Sequence, residues 1–75
     1  MNAGAARRVI LDHIDAIANE YGISPDDILG RSKKSIHAQA RQNVMSLAAY
    51  DGCRLVHIAH VLQVNHQAVS HGINR

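Results

Sequence analysis

Apolar residues in the first third of the chain recur at helical spacing. Ile10, Ile14, Ile17 and Tyr21 share one face, while Asp12, Asp15 and Asn19 fall on the other. This predicts a first helix over roughly Ala5 to Tyr21, closed by Gly22. Ser24-Pro25-Asp26-Asp27 then places a capping serine, a proline at the first helical position and acids in the positively polarised first turn. Ile23 and Ile28 stand at the staple positions of that short second helix, and Gly30 is expected to stop it. The stretch from Gly30 to Ile36 is polar and basic and reads as a loop. From His37 to Tyr50, an apolar stripe of Ala40, Val44, Leu47 and Ala48 predicts a third helix, ending at Asp51-Gly52.

Leu55, Ile58, Ala59 and Leu62 mark a fourth helix, and Val69 and Ile73 the inward face of a fifth. β-Branched residues fall at helical rather than alternating intervals, so no strand is expected. The expected fold class is all-α, a five-helix orthogonal bundle in one domain. Within it, Leu55 to Asn74 fits a helix-turn-helix. Ala59 is small where two helices must cross closely, and Val64 and Val69 would bury between them. Asn65 can cap the second helix, with Val64 and Val69 at the staple positions around it. Such a turn usually carries glycine where this chain has Gln63. In this motif the second helix enters the major groove N-terminal end first. The outward residues would then be Asn65, His66, Gln67, Ser70, His71 and Asn74, all able to hydrogen-bond and none acidic. An ordinary amphipathic helix with a solvated polar face is the bland alternative.

Charge sharpens the picture. The net charge of +2 conceals a split. Asp12, Asp15, Glu20, Asp26 and Asp27 occupy residues 12 to 27 with no Lys or Arg among them. From residue 30 onward, Arg31, Lys33, Lys34, Arg41, Arg54 and Arg75 face Asp51 alone, and Arg7 and Arg8 open the chain. A basic side opposite an acidic one is the footprint of a polyanion binder, because phosphate neutralisation supplies most non-specific affinity.

Composition excludes several other classes. At 47% hydrophobic and 19% charged, the 75 residues are too apolar for a disordered tail. No run is long enough to span a membrane, and the opening residues lack a signal-peptide hydrophobic core. A cytoplasmic, nucleoid-associated protein with no membrane partner is expected. Cys53 is the sole cysteine, so no internal disulfide forms. Cys53, His57 and His60 fall at i, i+4 and i+7, a candidate zinc face, but no fourth ligand follows at a recognised spacing. Cys53 and His57 also lack the orienting group and oxyanion site that a nucleophile needs, and no glycine-rich phosphate loop exists. No enzyme activity, cofactor or metal is expected. Tyr21 and Tyr50, the only aromatics, are too few for a single-strand stacking platform and read as core and core edge.

These motifs resemble those of the C-terminal duplex-binding domain (domain IV) of the bacterial replication initiator DnaA, a fold of the Trp-repressor type. The resemblance runs from Ile10 to Asn74. It rests on Tyr21-Gly22-Ile23-Ser24 leading to Asp27-Ile28-Leu29, the basic loop, Ala40-Arg41-Gln42 with Met45, Leu47 and Ala48, Ile58-Ala59, and Asn65-His66-Gln67-Ala68-Val69. The resemblance implies that Arg31, Lys33 and Lys34 reach phosphates and the minor groove, and that the family's Arg-Gln pair survives as Arg41 and Gln42. Departures are specific. The family's Asp-His-Thr-Thr reads Asn65-His66-Gln67-Ala68 here, Val64 replaces an arginine, and Lys33 stands at the loop arginine that enters the minor groove. The chain is therefore expected to keep the fold and the DNA-binding mode but need not read the initiator's own target sequence.

The reading favoured by the sequence is therefore sequence-specific double-stranded DNA binding as part of a transcription regulator, of the phage-derived or gene-transfer-agent activator type. Arg31, Lys33, Lys34 and Arg41 would anchor phosphates, Gln42 would add a neutral contact, and Asn65, His66, Gln67, Ser70 and His71 would face the bases. The alternatives are the origin-binding module of a DnaA-type initiator and, from another class, a helical protein-interaction module. Since the domain begins at Met1 and stops with the recognition helix, it is expected to be a shortened chain or the N-terminal domain of a longer regulator. Contacts to transcription or replication machinery would come from regions outside it.

Overall fold

The computed structural model describes residues 1–29 and 32–73, with side chains through Ser70. Among these residues there are five helices and no strand: α1 (Ala3–Tyr21), α2 (Pro25–Leu29), α3 (Ser35–Tyr50), α4 (Leu55–Leu62) and α5 (His66–Ile73). The expected stop at Gly30 and the inward placement of Ile73 lie outside what is described.

Local chemistry sets the helix ends. Asn2 caps α1 two residues earlier than the apolar pattern indicates, its Oδ1 accepting the Ala5 N–H at 2.8 Å. At the other end Gly22 takes the left-handed conformation (φ 68°), and the N–H of Ile23 reaches back to the Ala18 carbonyl at 2.9 Å. α2 begins with a reciprocal cap. Ser24 Oγ accepts the Asp26 N–H at 3.1 Å, and Asp27 Oδ2 accepts the Ser24 N–H at 3.0 Å. α3 also starts two residues before the expected His37, and ends where Gly52 turns with φ 94°.

The core is aliphatic. Ile10, Ile14 and Ile17 of α1 meet Ile28 of α2, Ala40, Val44 and Ala48 of α3, Ile58 and Leu62 of α4, and Val69 of α5. Two expectations for α3 need correction. Leu47 is 40% exposed and Tyr50 is 89% exposed, so neither belongs to the core or its edge. The buried arc of α3 runs instead through Ala40, Val44, Met45 and Ala48, with His37 and Arg41 half-buried along the same side. Leu47 falls past the rim of that arc, and Tyr50 further still. Tyr21 is half-buried, and its hydroxyl takes a hydrogen bond from Asn43 Nδ2, which joins the end of α1 to α3. His13 Nε2 lies 2.6 Å from Asp51 Oδ2, a second link between the same helices.

Cys53 is buried just ahead of α4, its sulfur 3.9 Å from the Ala6 carbonyl and 3.8 Å from the Met1 sulfur. Burial pushes its thiol pKa up, Asp51 adds in the same direction, and the N-terminal ammonium opposes them. The group is held as a thiol, a packing residue rather than a nucleophile.

The turn between α4 and α5 carries backbone strain. Gln63 adopts φ 59° and ψ 42°, the left-handed region that costs a residue with a Cβ about 1–2 kcal/mol. Its N–H and that of Val64 bond back to α4, with Val64 N reaching the Ala59 carbonyl at 3.0 Å. Gln63→Gly should relieve the strain, offset in part by the added freedom of the unfolded chain, for a net gain of about 0.5–1 kcal/mol. In a domain of this size that raises Tm by roughly 3–6 °C. A thermal melt in which Gln63→Gly unfolds at or below the parent's temperature would show that the turn is not left-handed.

Candidate nucleic-acid interface

The α4–α5 pair has the geometry of a helix-turn-helix. Ala59 is buried at the crossing, Val64 is half-buried in the turn, and Val69 is fully buried beneath α5. Asn65 caps α5, its Oδ1 accepting the Ala68 N–H at 2.7 Å. With Asn65 as the cap and Val69 held inward, the N-terminal end of α5 presents Asn65, His66 and Gln67 to solvent, with Ser70 half-exposed one turn on. No acidic residue occupies the first turn of α5, so the positive end of the helix is uncompensated. The side chain of His71 and all of Arg31 lie outside the described residues.

The basic segment ends at a second positively polarised helix start. Lys33 and Lys34 are exposed and form no ion pair among the described residues. Lys34 is the residue that precedes α3, whose first turn contains no acidic side chain. A cation at a helix N-terminus is unfavourable by itself, by a few tenths of a kcal/mol or more. Two lysines gathered there make a site that an anion would stabilise through both the ammonium groups and the free N–H groups of the first turn.

Arg41, expected among the phosphate anchors, has its guanidinium committed elsewhere. Nε donates to the Ile28 carbonyl at 2.8 Å, Nη2 to the Asp27 carbonyl at 3.2 Å, and both terminal nitrogens reach the Ser32 carbonyl at 3.4 Å. One planar fork thus satisfies carbonyls left open at the C-terminal end of α2 and fastens the start of the basic segment to α3. His37, one turn earlier on the same face, assists. Its Nδ1 is 2.7 Å from Ser32 Oγ and its Nε2 3.6 Å from Asp27 Oδ2. Sequence reasoning did not single out His37 or Ser32. The signal available was that His37 and Arg41 continue the buried row of α3, where a polar side chain must find partners within the fold. Gln42 is half-buried on α3 next to Arg41.

The candidate zinc residues do not assemble. Cys53 is buried, His60 is exposed, and His57 is half-buried with a buried Nδ1 that has no hydrogen-bond partner among the described residues. Among the described residues no three His, Cys, Asp or Glu side chains converge as a metal site.

The family of bacterial dnaA protein helix-turn-helix domains matches residues 12–75, which takes in α2 to α5 and most of α1. The chain belongs to this family. It is thus a non-catalytic, all-α helix-turn-helix module of a kind that binds double-stranded DNA. Comparison with curated proteins and with solved structures returned no match. No helix among the described residues is long and apolar enough to cross a membrane.

The Arg41 fork generates a testable expectation. Arg41→Met keeps the aliphatic stem but leaves the carbonyls of Asp27, Ile28 and Ser32 without their charged donor. Hydrogen bonds to charged groups contribute about 1.5–3 kcal/mol, so the variant should lose about 2–3 kcal/mol in denaturant unfolding. Arg41→Lys should recover only part, because one ammonium cannot span three carbonyls. Equal stability of parent and Arg41→Met would show that the fork is not a structural fastening.

Proposed function

We propose that this domain binds double-stranded DNA sequence-specifically, as the origin-type binding module of a DnaA-like initiator does. The observation that carries the reading is the family match over a helix-turn-helix whose recognition helix exposes Asn65, His66 and Gln67 at its leading end. The transcription-regulator role favoured by the sequence finds less support, because the match is to the initiator's own domain. What keeps a regulator as the second reading is the recognition helix itself, where Asn65, Gln67 and Ala68 replace the initiator residues and point to a different target sequence.

In this reading α5 enters the major groove, and the bases are addressed by Asn65, His66, Gln67 and Ser70, with His71 further along the helix. Asn and Gln match the paired donor and acceptor of adenine. Lys33 and Lys34, joined by Arg31, hold the flanking phosphates at the start of α3 and set the position of α5 on the duplex. Arg41 works through the loop as a positioning residue, and Gln42 lies beside it. The acidic outer side of α1, with Asp12, Asp15 and Glu20 exposed, faces away from the polyanion and helps select the docking orientation.

Two variants separate anchoring from reading. Lys33→Ala with Lys34→Ala should weaken binding to every duplex alike and flatten the slope of log affinity against log salt by about two units. Gln67→Ala should cost about 1–3 kcal/mol on a site selected from random duplexes and little on unselected DNA. Affinity for random duplex that is unaffected by the lysine changes would remove the basic segment from the interface. Equal losses on selected and unselected DNA would reduce Gln67 to a backbone contact, and binding that ignores salt would favour a protein-interaction module instead.

A further inference from the structure

A groove of about 550 Å³ runs between the first half of α1 and the helix-turn-helix. Arg7 and Leu11 of α1 form one wall, His60, Gln63 and Val64 the other, and Leu29 closes the end. Each boundary bears on DNA. Leu29 is the last residue of α2 and leads into the basic segment, while Gln63 and Val64 are the turn from which α5 departs. The groove therefore lies between the two elements assigned to the flanking phosphates and the bases. Among the described residues no acidic side chain lines it. Arg7 is exposed and forms no ion pair among the described residues, and His60 at the last turn of α4 is exposed as well. A cation lining a concave site is screened less than one on an open surface.

We infer that Arg7 and this groove form a third anchoring site for a DNA backbone phosphate, between the basic segment and the recognition helix. The inference rests on the duplex-binding reading but goes beyond the family, since Arg7 precedes the matched residues 12–75. The guanidinium would donate two parallel N–H groups to one phosphate, a geometry that suits arginine better than lysine. Such a contact adds affinity and fixes orientation without selecting sequence.

The neighbouring residue supplies the control. Arg8 is also exposed but does not line the groove; it borders an adjoining depression that shares Arg7 and Leu11 with it and adds Gly4 and Asp12. Affinity for a random-sequence duplex would be measured against salt concentration for the parent, Arg7→Ala, Arg7→Lys and Arg8→Ala, with thermal melts of each. Arg7→Ala should bind about three- to tenfold more weakly at low salt, with the salt slope reduced by about one unit. Arg7→Lys should restore the slope and part of the affinity, while Arg8→Ala behaves like the parent. An unchanged slope in Arg7→Ala, or an equal loss in Arg8→Ala, would overturn the groove site and leave the duplex reading standing. A parent that fails to bind duplex at all would overturn both.

Discussion

A single guanidinium ties the end of α2 and Ser32 to α3. Arg41, projecting from the middle of α3, donates to the carbonyls of Asp27 and Ile28 near the end of α2 and to that of Ser32 beyond it. The same helix packs Val44 and Ala48 into the core beside α1 and also contacts α5. The basic segment and the recognition helix are thereby mounted on one rigid element. Their spacing is set by packing rather than by loop conformation, and that spacing is what a duplex would measure.

The second constraint is the turn at Gln63. A left-handed residue lets α4 stop and α5 leave at a sharp angle, with Ala59 small enough for the close crossing and Asn65 ready to cap the new helix. Strain of about 1–2 kcal/mol in that residue is tolerable because Val64 and Val69 bury on either side of the cap. Electrostatics follows from the same geometry. The N-terminal ends of α3 and α5 both lack acidic residues, and the carboxylates of Asp12, Asp15 and Glu20 on α1 are exposed.

Much of this architecture is legible in the sequence because it rests on local chemistry. Gly22, the Ser24-Pro25-Asp26-Asp27 cap, Asp51-Gly52 and the Asn65 cap announce their turns through short-range hydrogen bonds, and the isoleucines of α1 announce their face by spacing alone. Failures came where tertiary packing decides. Leu47 fits an amphipathic stripe as well as Met45 does, and only the positions of α1 and α5 around α3 determine which of them is buried. Tyr50 has the bulk of a core residue but sits on the turn that leaves the bundle. Arg41 shows the limit for function. Its charge and family position suggest a phosphate, while the carbonyls it serves, 9 to 14 residues away in sequence, leave no local signal. Arg7 was visible only as charge, because nothing local places it beside a turn more than fifty residues downstream.

The central claim is that one face, formed by the basic segment and the start of α5 on a common scaffold, meets the duplex. Amide chemical-shift mapping during titration with a short duplex tests it most directly. Perturbations should gather at Ser32 to Lys34 and at Asn65 to Ser70, fade as salt is raised, and spare Asp12 to Glu20 on the outer side of α1. Shifts centred on that acidic side or on exposed Leu47 and Tyr50, or no shifts at low salt, would contradict the account.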